Sequence, residues 1–187
     1  MRHEHKNPNK RAEFLQASTG ALRHRSASGE LPPMTRPPPD PDAARIVVHG
    51  YDHAVAALEA ARGAGAPVTI LSAPGAARSG GPAWWRELAA QAGAAVPGAE
   101  AEWILDCADE AGTALAALRE GVTHIALECE PAVRARVHEI AAQTGAVLAN
   151  AGRAEALDLA GSNNPQRDCA NHLSGHPGAV AKPGALG

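Results

Sequence analysis

An acidic residue stands directly before a cysteine at two places in the chain, Asp106-Cys107 and Glu128-Cys129. Each pair ends a short apolar run and precedes a segment whose apolar residues recur at helical spacing. Carboxylates serve as general acids and bases, and when two lie close together the pKa of one rises, because both cannot ionise cheaply. The repeated pair predicts a catalytic site if the fold brings the two acids together. The alternative is structural, since cysteine is commonly buried and acids at strand ends often only face helix N-termini or solvent.

Other residues that could contact a ligand also follow apolar runs. His49 and Asn150 come directly after two such runs, and the long connection 72–82 follows a third. Long connections of this kind often bind anions through backbone N–H groups, and Arg78 adds a positive charge. No set of metal ligands is predicted, and the sequence does not identify a cofactor. The predicted catalytic residues are His49, Asp106 and Glu128, and the predicted ligand-binding residues are Ser72, Gly75, Arg78 and Asn150.

Five strands are predicted to position these residues. Each is a short run of apolar or β-branched residues, and all but the last lead into a segment with helical periodicity. This alternation predicts a parallel sheet with helices on both faces. The predicted strands are residues 45–50, 68–71, 102–105, 124–127 and 146–149, and the predicted helices lie at about 54–61, 82–92, 111–120 and 131–144.

The predicted fold is an open, mostly parallel α/β sheet of the flavodoxin or Rossmann type. A closed barrel needs eight βα units, and only five strands are visible. A half-barrel is the alternative, and because it could complete itself with a second copy, a homo-oligomer is compatible with the sequence. In either fold, ligands bind beyond the carboxyl ends of the strands, where all the candidate residues lie.

The relative position of the two acid–cysteine pairs depends on the strand order. In the common order 2-1-3-4-5, strands three and four are neighbours, about 4.8 Å apart. Equivalent positions would then put Asp106 beside Glu128 on one face and Cys107 beside Cys129 on the other. A catalytic site shared with His49 also requires that strand four does not lie on the far side of the sheet from strand one.

The cysteines and the hydropathy indicate a location. Three cysteines without a regular spacing suit reduced thiols better than a disulfide framework, and we expect Cys107 and Cys129 to be structural and unreactive. The chain has no run of about 18 apolar residues that would predict a membrane span, and no apolar segment near its N-terminus that would predict a secretory signal. The sequence therefore predicts a cytoplasmic protein that does not bind a membrane.

The chain divides into three parts by composition. Residues 1–43 are rich in proline and residues 161–187 in glycine, proline and asparagine, and both compositions predict disordered tails. A single α/β domain is predicted at residues 44–160. Met34 could be the true start, which would place residues 1–33 upstream of the natural protein.

Charge and missing motifs exclude several classes of function. Residues 44–160 carry eight arginines and fourteen acidic residues, so they lack the basic surface that nucleic-acid binding needs. The predicted domain contains no lysine to form a Schiff base, to anchor pyridoxal phosphate or to complete a P-loop. The Gly-x-Gly-x-x-Gly motif of dinucleotide-binding proteins and the Gly-x-Ser-x-Gly motif of serine hydrolases are also absent from the sequence.

Two functions from different classes remain open. The first is binding of, or action on, a small anionic metabolite at the carboxyl ends of the strands, which predicts a polar pocket there. The alternative is a non-catalytic protein-interaction module without a small-molecule site, which predicts that no pocket brings His49 within reach of Asp106. The residues identify neither a family nor a reaction, and they do not decide whether the protein is an enzyme.

Overall fold

The computed structural model describes residues 40–176. Residues 1–39 of the predicted N-terminal tail and residues 177–187 of the predicted C-terminal tail lie outside the described residues. Residues 40–176 form a sheet of six strands with six α-helices and one 3-10 turn, Arg153–Glu155. The strands are β1 (Ala44–Val48), β2 (Val68–Ser72), β3 (Ala101–Asp106), β4 (His124–Ala126), β5 (Val147–Ala149) and β6 (Leu157–Asp158). The helices are α1 (Tyr51–Ala64), α2 (Ala76–Ser79), α3 (Gly81–Ala95), α4 (Ala111–Arg119), α5 (Pro131–Gln143) and α6 (Pro165–Ser174).

All six strands are parallel and lie in the order β5-β4-β3-β2-β1-β6. The predicted open, parallel α/β sheet is therefore confirmed, with six strands rather than five. The additional strand, β6, has two residues, and both pair with β1. The order differs from 2-1-3-4-5, because consecutive strands are neighbours from β1 to β5, as the half-barrel alternative requires.

The buried hydrophobic residues form two clusters that correspond to the two faces of the sheet. On β1, for example, Ile46 and Val48 belong to the first cluster and Val47 to the second, as the two-residue period of a strand requires. The buried residues of all six described helices belong to the first cluster. These helices therefore pack on one face, not on both faces as predicted from the sequence, whereas the second cluster contains only strand residues and residues that follow β5.

The helix-free face is concave because the sheet is rolled. Its two edges, β5 and β6, would lie about 24 Å apart on a flat sheet, yet residues 150–156 connect them and include a turn that rises only about 2 Å per residue. Nη1 of Arg45, on β1, donates to the carbonyl oxygens of Asn150 at 2.9 Å and Ala151 at 3.2 Å, directly after β5. One arginine side chain could not span the four strand spacings, about 19 Å, of a flat sheet. The connection 150–156 thus crosses over the concave face.

The predicted end of the domain at residue 160 is wrong, because α6 lies beyond it. The side chain of Asn164 caps this helix by accepting a hydrogen bond from the N–H of Arg167 at 3.1 Å, and Pro165 occupies the first turn. Cys169 and Leu173, one turn apart, are buried in the first cluster, and α6 packs against α1. Polar residues in this segment therefore surround a short apolar stripe that completes the core.

The register between β3 and β4 differs by two residues from the predicted one. Asp106 pairs with Ala126, so Glu128 lies two residues further toward the carboxyl edge. Cys129 lies beyond Cys107 by the same amount. Both cysteines pack against the first cluster and Asp106 lies on the concave face, so the acids and the thiols do occupy opposite faces. The expected side-by-side pairs of acids and of thiols, however, are wrong.

Candidate functional site

Asp106, at the end of β3, is the centre of a hydrogen-bonded cluster, and its side chain is only 7% exposed. Oδ1 accepts hydrogen bonds from the N–H of Gly75 at 2.6 Å and from that of Ala108 at 3.0 Å. Oδ2 accepts one from the guanidinium of Arg153 at 2.5 Å. Ser72 joins the cluster because its Oγ accepts a hydrogen bond from the N–H of Asp106 at 2.9 Å. Three predicted site residues, Ser72, Gly75 and Asp106, are thus brought together.

These hydrogen bonds occupy the groups that the sequence assigns to a ligand. The N–H of Gly75, predicted to bind an anion, donates instead to the carboxylate of Asp106. Ser72 is fully buried, and the charge of Arg153 compensates that of Asp106. The contacts indicate a structural role, since the cluster joins β2, β3 and the connection 150–156.

Arg78, the predicted cation of the connection 72–82, has an acidic partner. Its Nη1 lies 2.6 Å from Oε1 of Glu110, and 65% of the Arg78 side chain is exposed. Glu110 also accepts a hydrogen bond from the hydroxyl of Thr113 at 2.8 Å, which holds it at the start of α4. An anion at Arg78 would therefore have to compete with Glu110.

His49, which follows β1, contacts β6. Its Nε2 lies 2.7 Å from Oδ1 of Asp158, and the contact is ionic when His49 is protonated. Burial raises the pKa of Asp158, but the hydrogen bond from the N–H of Ala160 and the contact with His49 outweigh it, so that this pKa is lowered overall. The ring of His53 lies edge-on to that of His49, and burial together with the neighbouring His49 lowers the pKa of His53. This cluster attaches β6 to the end of β1.

The three predicted catalytic residues have separate surroundings. Two strands, β2 and β3, separate β1 from β4. A site shared by residues at the ends of β1 and β4 is not expected with this order. His49 contacts Asp158, and Asp106 contacts Arg153. Glu128 is exposed beyond the end of β4. A joint catalytic role for His49, Asp106 and Glu128 therefore has no geometric support.

Two predicted site residues, Glu128 and Asn150, do share a cleft at the carboxyl ends of β4 and β5. The cleft has a volume of about 320 Å³, and Cys129 and Arg134 also line it. The other lining residues are small or apolar, namely Ala126, Leu127, Ala149 and Ala151. The alanines on this part of the concave face leave the space that the cleft occupies.

Arg134 supplies the positive charge of the cleft. It lies near the start of α5, and its Nε donates to the carbonyl oxygen of Leu127 at 3.2 Å, which fixes the guanidinium beside the end of β4. Arg134 has no ion-pair partner among the residues that the structure describes.

Sequence reasoning missed the two arginines that matter most at this edge. Arg134 belongs to a predicted helix, and the available signal was its position shortly after the helix start, from which a side chain can reach back to the preceding strand end. Arg153 follows the last predicted strand, where no element was expected. The contact of Arg153 with Asp106 depends on the path of the connection 150–156 across the sheet. No sequence motif predicts that path.

The geometry must carry the functional argument alone. Within the described range 40–176, no group of three or more His, Cys, Asp or Glu side chains is arranged to hold a metal ion. No described helix has the length and apolar character needed to cross a membrane. No protein-family model matches the chain, and no curated protein is significantly similar to it.

The three cysteines are expected to differ in reactivity. Burial, with nearby acids, raises the pKa of Cys107 to about 12 and that of Cys169 to about 11, whereas Cys129 is half-buried at the cleft. Because the thiolate is the reactive form and Cys129 is the accessible thiol, we no longer expect Cys129 to be unreactive, as the sequence suggested. Ellman's reagent should label one thiol per chain quickly in the native protein and all three after denaturation. The Cys129→Ser variant should show no fast phase. A fast phase in that variant would contradict the assignment.

Proposed function

We propose that the protein binds a small anionic metabolite in the cleft at the carboxyl ends of β4 and β5. The observation that carries the proposal is that Arg134, which has no ion-pair partner among the described residues, lines a cleft of about 320 Å³. Arginine suits carboxylates and phosphates because its planar group donates several hydrogen bonds in fixed directions. The position also agrees with the general preference of open parallel sheets for ligands at the carboxyl ends of their strands.

Asn150 supports the same type of ligand. Its Oδ1 accepts a hydrogen bond from the backbone N–H of Gly152 at 3.0 Å. This bond assigns the oxygen to Gly152, so that the amide nitrogen is the group left to donate into the cleft. An anion held between Arg134 and Asn150 would accept a charge-assisted hydrogen bond from one and a neutral hydrogen bond from the other.

Three other cavities fit an anion less well. One, of about 160 Å³, lies near the start of β1 and is lined by Asp40 and Asp42, whose charges would repel an anion. Another, of about 360 Å³, lies between α1 and α6, and the charged residue in its lining is Glu59. A third, of about 210 Å³, is lined by Arg86 but lies beside the residues that precede β4, and so not at the carboxyl ends of the strands. The cleft at Arg134 is therefore the better candidate.

Calorimetric titration with inorganic phosphate and with small carboxylates tests the proposal. The unmodified protein is expected to bind at least one of these anions. Arg134→Gln should weaken that binding by at least about tenfold, because a hydrogen bond to a charged group contributes about 1.5–3 kcal/mol. A protein that binds neither phosphate nor any small compound with a carboxylate would contradict the proposal.

Arg136→Gln is the matched control for this experiment. Arg136 lies on the same helix two residues later, is exposed, and does not line the cleft. The substitution removes the same charge, so the affinity should stay unchanged if the cleft is the binding site. An equal loss in both variants would show that binding reflects only the general charge of α5.

The alternative function, a non-catalytic protein-interaction module, has one observation in its favour. Val133 and Ile140 lie seven residues apart on α5 and therefore on the same side of the helix, and each is 38% exposed. If no anion binds, this apolar side of α5 is the better candidate surface for a protein partner or a second copy of the chain.

We also propose a cytoplasmic location. All three cysteines are free. Two of them, Cys107 and Cys169, lie in the hydrophobic core. Free thiols persist in the reducing cytoplasm, whereas secreted proteins commonly oxidise them, and this favours an intracellular site for the protein.

A further inference from the structure

The cleft contains a negative charge as well as a positive one. Glu128 also lines it, and the residue is exposed. Among residues 40–176, no arginine, lysine or histidine forms an ion pair with Glu128, and Arg134 is no exception. Two opposite charges therefore line one small cleft without contacting each other.

A simple anion would compensate only one of the two charges. An anion bound to Arg134 would also stand near the carboxylate of Glu128, and like charges in one cleft repel each other. A ligand with a second, positive group would instead place that group at Glu128. Both charges of the cleft would then be compensated by one molecule.

We infer that the ligand is dipolar, with a carboxylate for Arg134 and Asn150 and an ammonium group for Glu128, as in the amino acids. This inference rests on the proposed function and specifies its ligand class. The donors available to the carboxylate are the Nη groups of Arg134, whose Nε is held by Leu127, and the amide nitrogen of Asn150. The acceptor available to the ammonium is the carboxylate of Glu128.

The rest of the lining fits the non-polar part of such a molecule. Ala126, Ala149 and Ala151 belong to the hydrophobic cluster of the concave face and form the apolar wall of the cleft. A volume of about 320 Å³ accommodates a small ligand rather than a dinucleotide or a peptide. A short aliphatic side chain packed on the alanines would bury apolar surface while the two charged groups remain paired.

Three compounds, an amino acid and the two analogues that each lack one of its charged groups, separate the two charges of the ligand. These are 2-aminobutyrate, which carries both charges, butyrate, which lacks the ammonium, and propylamine, which lacks the carboxylate. We expect calorimetry to give an affinity for 2-aminobutyrate at least about tenfold higher than for either analogue, because each analogue loses one charge-assisted contact. Glycine, acetate and methylamine repeat the comparison without dependence on a side chain.

Glu128→Gln assigns the ammonium contact. It should reduce the ratio of the affinity for 2-aminobutyrate to the affinity for butyrate by at least about tenfold. The affinity for butyrate itself should not fall. Glu139→Gln is the matched control, since Glu139 is an exposed acid of α5 that does not line the cleft, and it should leave the preference unchanged. Both acids are exposed, so circular dichroism should show a native fold in each variant.

The outcomes distinguish this inference from the proposed function. If butyrate or acetate binds as tightly as its amino acid and Arg134→Gln removes that binding, the dipolar ligand is overturned and the anion site stands. If Glu128→Gln leaves the preference for the amino acid intact, the assignment to Glu128 is overturned. If none of the six compounds and no phosphate binds, the proposed function itself fails.

Discussion

Replacing Asp106 with alanine is expected to lower the free energy of unfolding by about 3–5 kcal/mol, the range typical of removing one member of a buried ion pair. The carboxylate accepts hydrogen bonds from two backbone N–H groups and from Arg153. Its loss leaves the N–H groups of Gly75 and Ala108 without an acceptor and Arg153 without a counter-charge. Urea denaturation at neutral pH, followed by circular dichroism, measures the change.

Two further variants separate the contributions at Asp106. In Asp106→Asn the amide oxygen can still accept from the backbone donors but cannot compensate Arg153, so the loss of stability should be smaller than with alanine. Arg153→Ala and the double variant complete a double-mutant cycle whose coupling energy measures the contact itself. A loss below about 0.5 kcal/mol for Asp106→Ala would be typical of an unimportant surface position and would contradict the structural role.

Gly152→Ala is expected to lower the free energy of unfolding by about 2–5 kcal/mol. Gly152 has a φ of 58°, and a side chain in this left-handed conformation costs about 1–2 kcal/mol. A Cβ atom would also lie 2.6 Å from Nη1 of Arg45, which is held by hydrogen bonds to Asn150 and Ala151. Moving Arg45 aside breaks these bonds, each of which contributes about 0.5–1.5 kcal/mol.

Gly161→Ala provides the control for Gly152→Ala in the same denaturation experiment. Gly161 has a φ of 74°, and a Cβ atom there would have no heavy atom within 4 Å. Its substitution should lower the free energy of unfolding only by the cost of a side chain in the left-handed conformation, about 1–2 kcal/mol. The difference between the two variants measures the contact with Arg45. Equal losses would show that Arg45 moves aside freely and that the closure across the concave face contributes little.

The regular elements could be predicted because strand and helix patterns alternate clearly. The predicted strands 68–71 and 124–127 agree with β2 and β4 to within one residue at each end. By contrast, α6 presents only Cys169 and Leu173 as buried residues in a polar segment, which is too few for a periodic pattern. The pair Asn164-Pro165 was its one start signal. The composition of this segment therefore predicted a disordered tail. The segment is helical because its contact with α1 stabilises the helix.

The contacts of the site could be predicted less well, because they depend on register and on the roll of the sheet. Asp106 and Arg153 are 47 residues apart, and no local pattern links them. A change of two residues in register replaces Glu128 by Ala126 as the neighbour of Asp106 and leaves Glu128 to the cleft. The sequence indicates which side chains stand at the carboxyl edge, but their partners follow from the curvature of the sheet.

The pairing of β1 with β6 has a consequence for the order in which the chain folds during synthesis. His49 and Asp158 are separated by 109 residues, which a ribosome adds in roughly 5–20 s. During this interval the outer edge of β1 has no strand beside it, and the acceptors for Arg45 after β5 do not yet exist. Contacts between such distant residues close late and slow folding. The nascent chain can therefore build β1 to β5 in sequence, but it gains its closed form only after β6 and α6 have emerged.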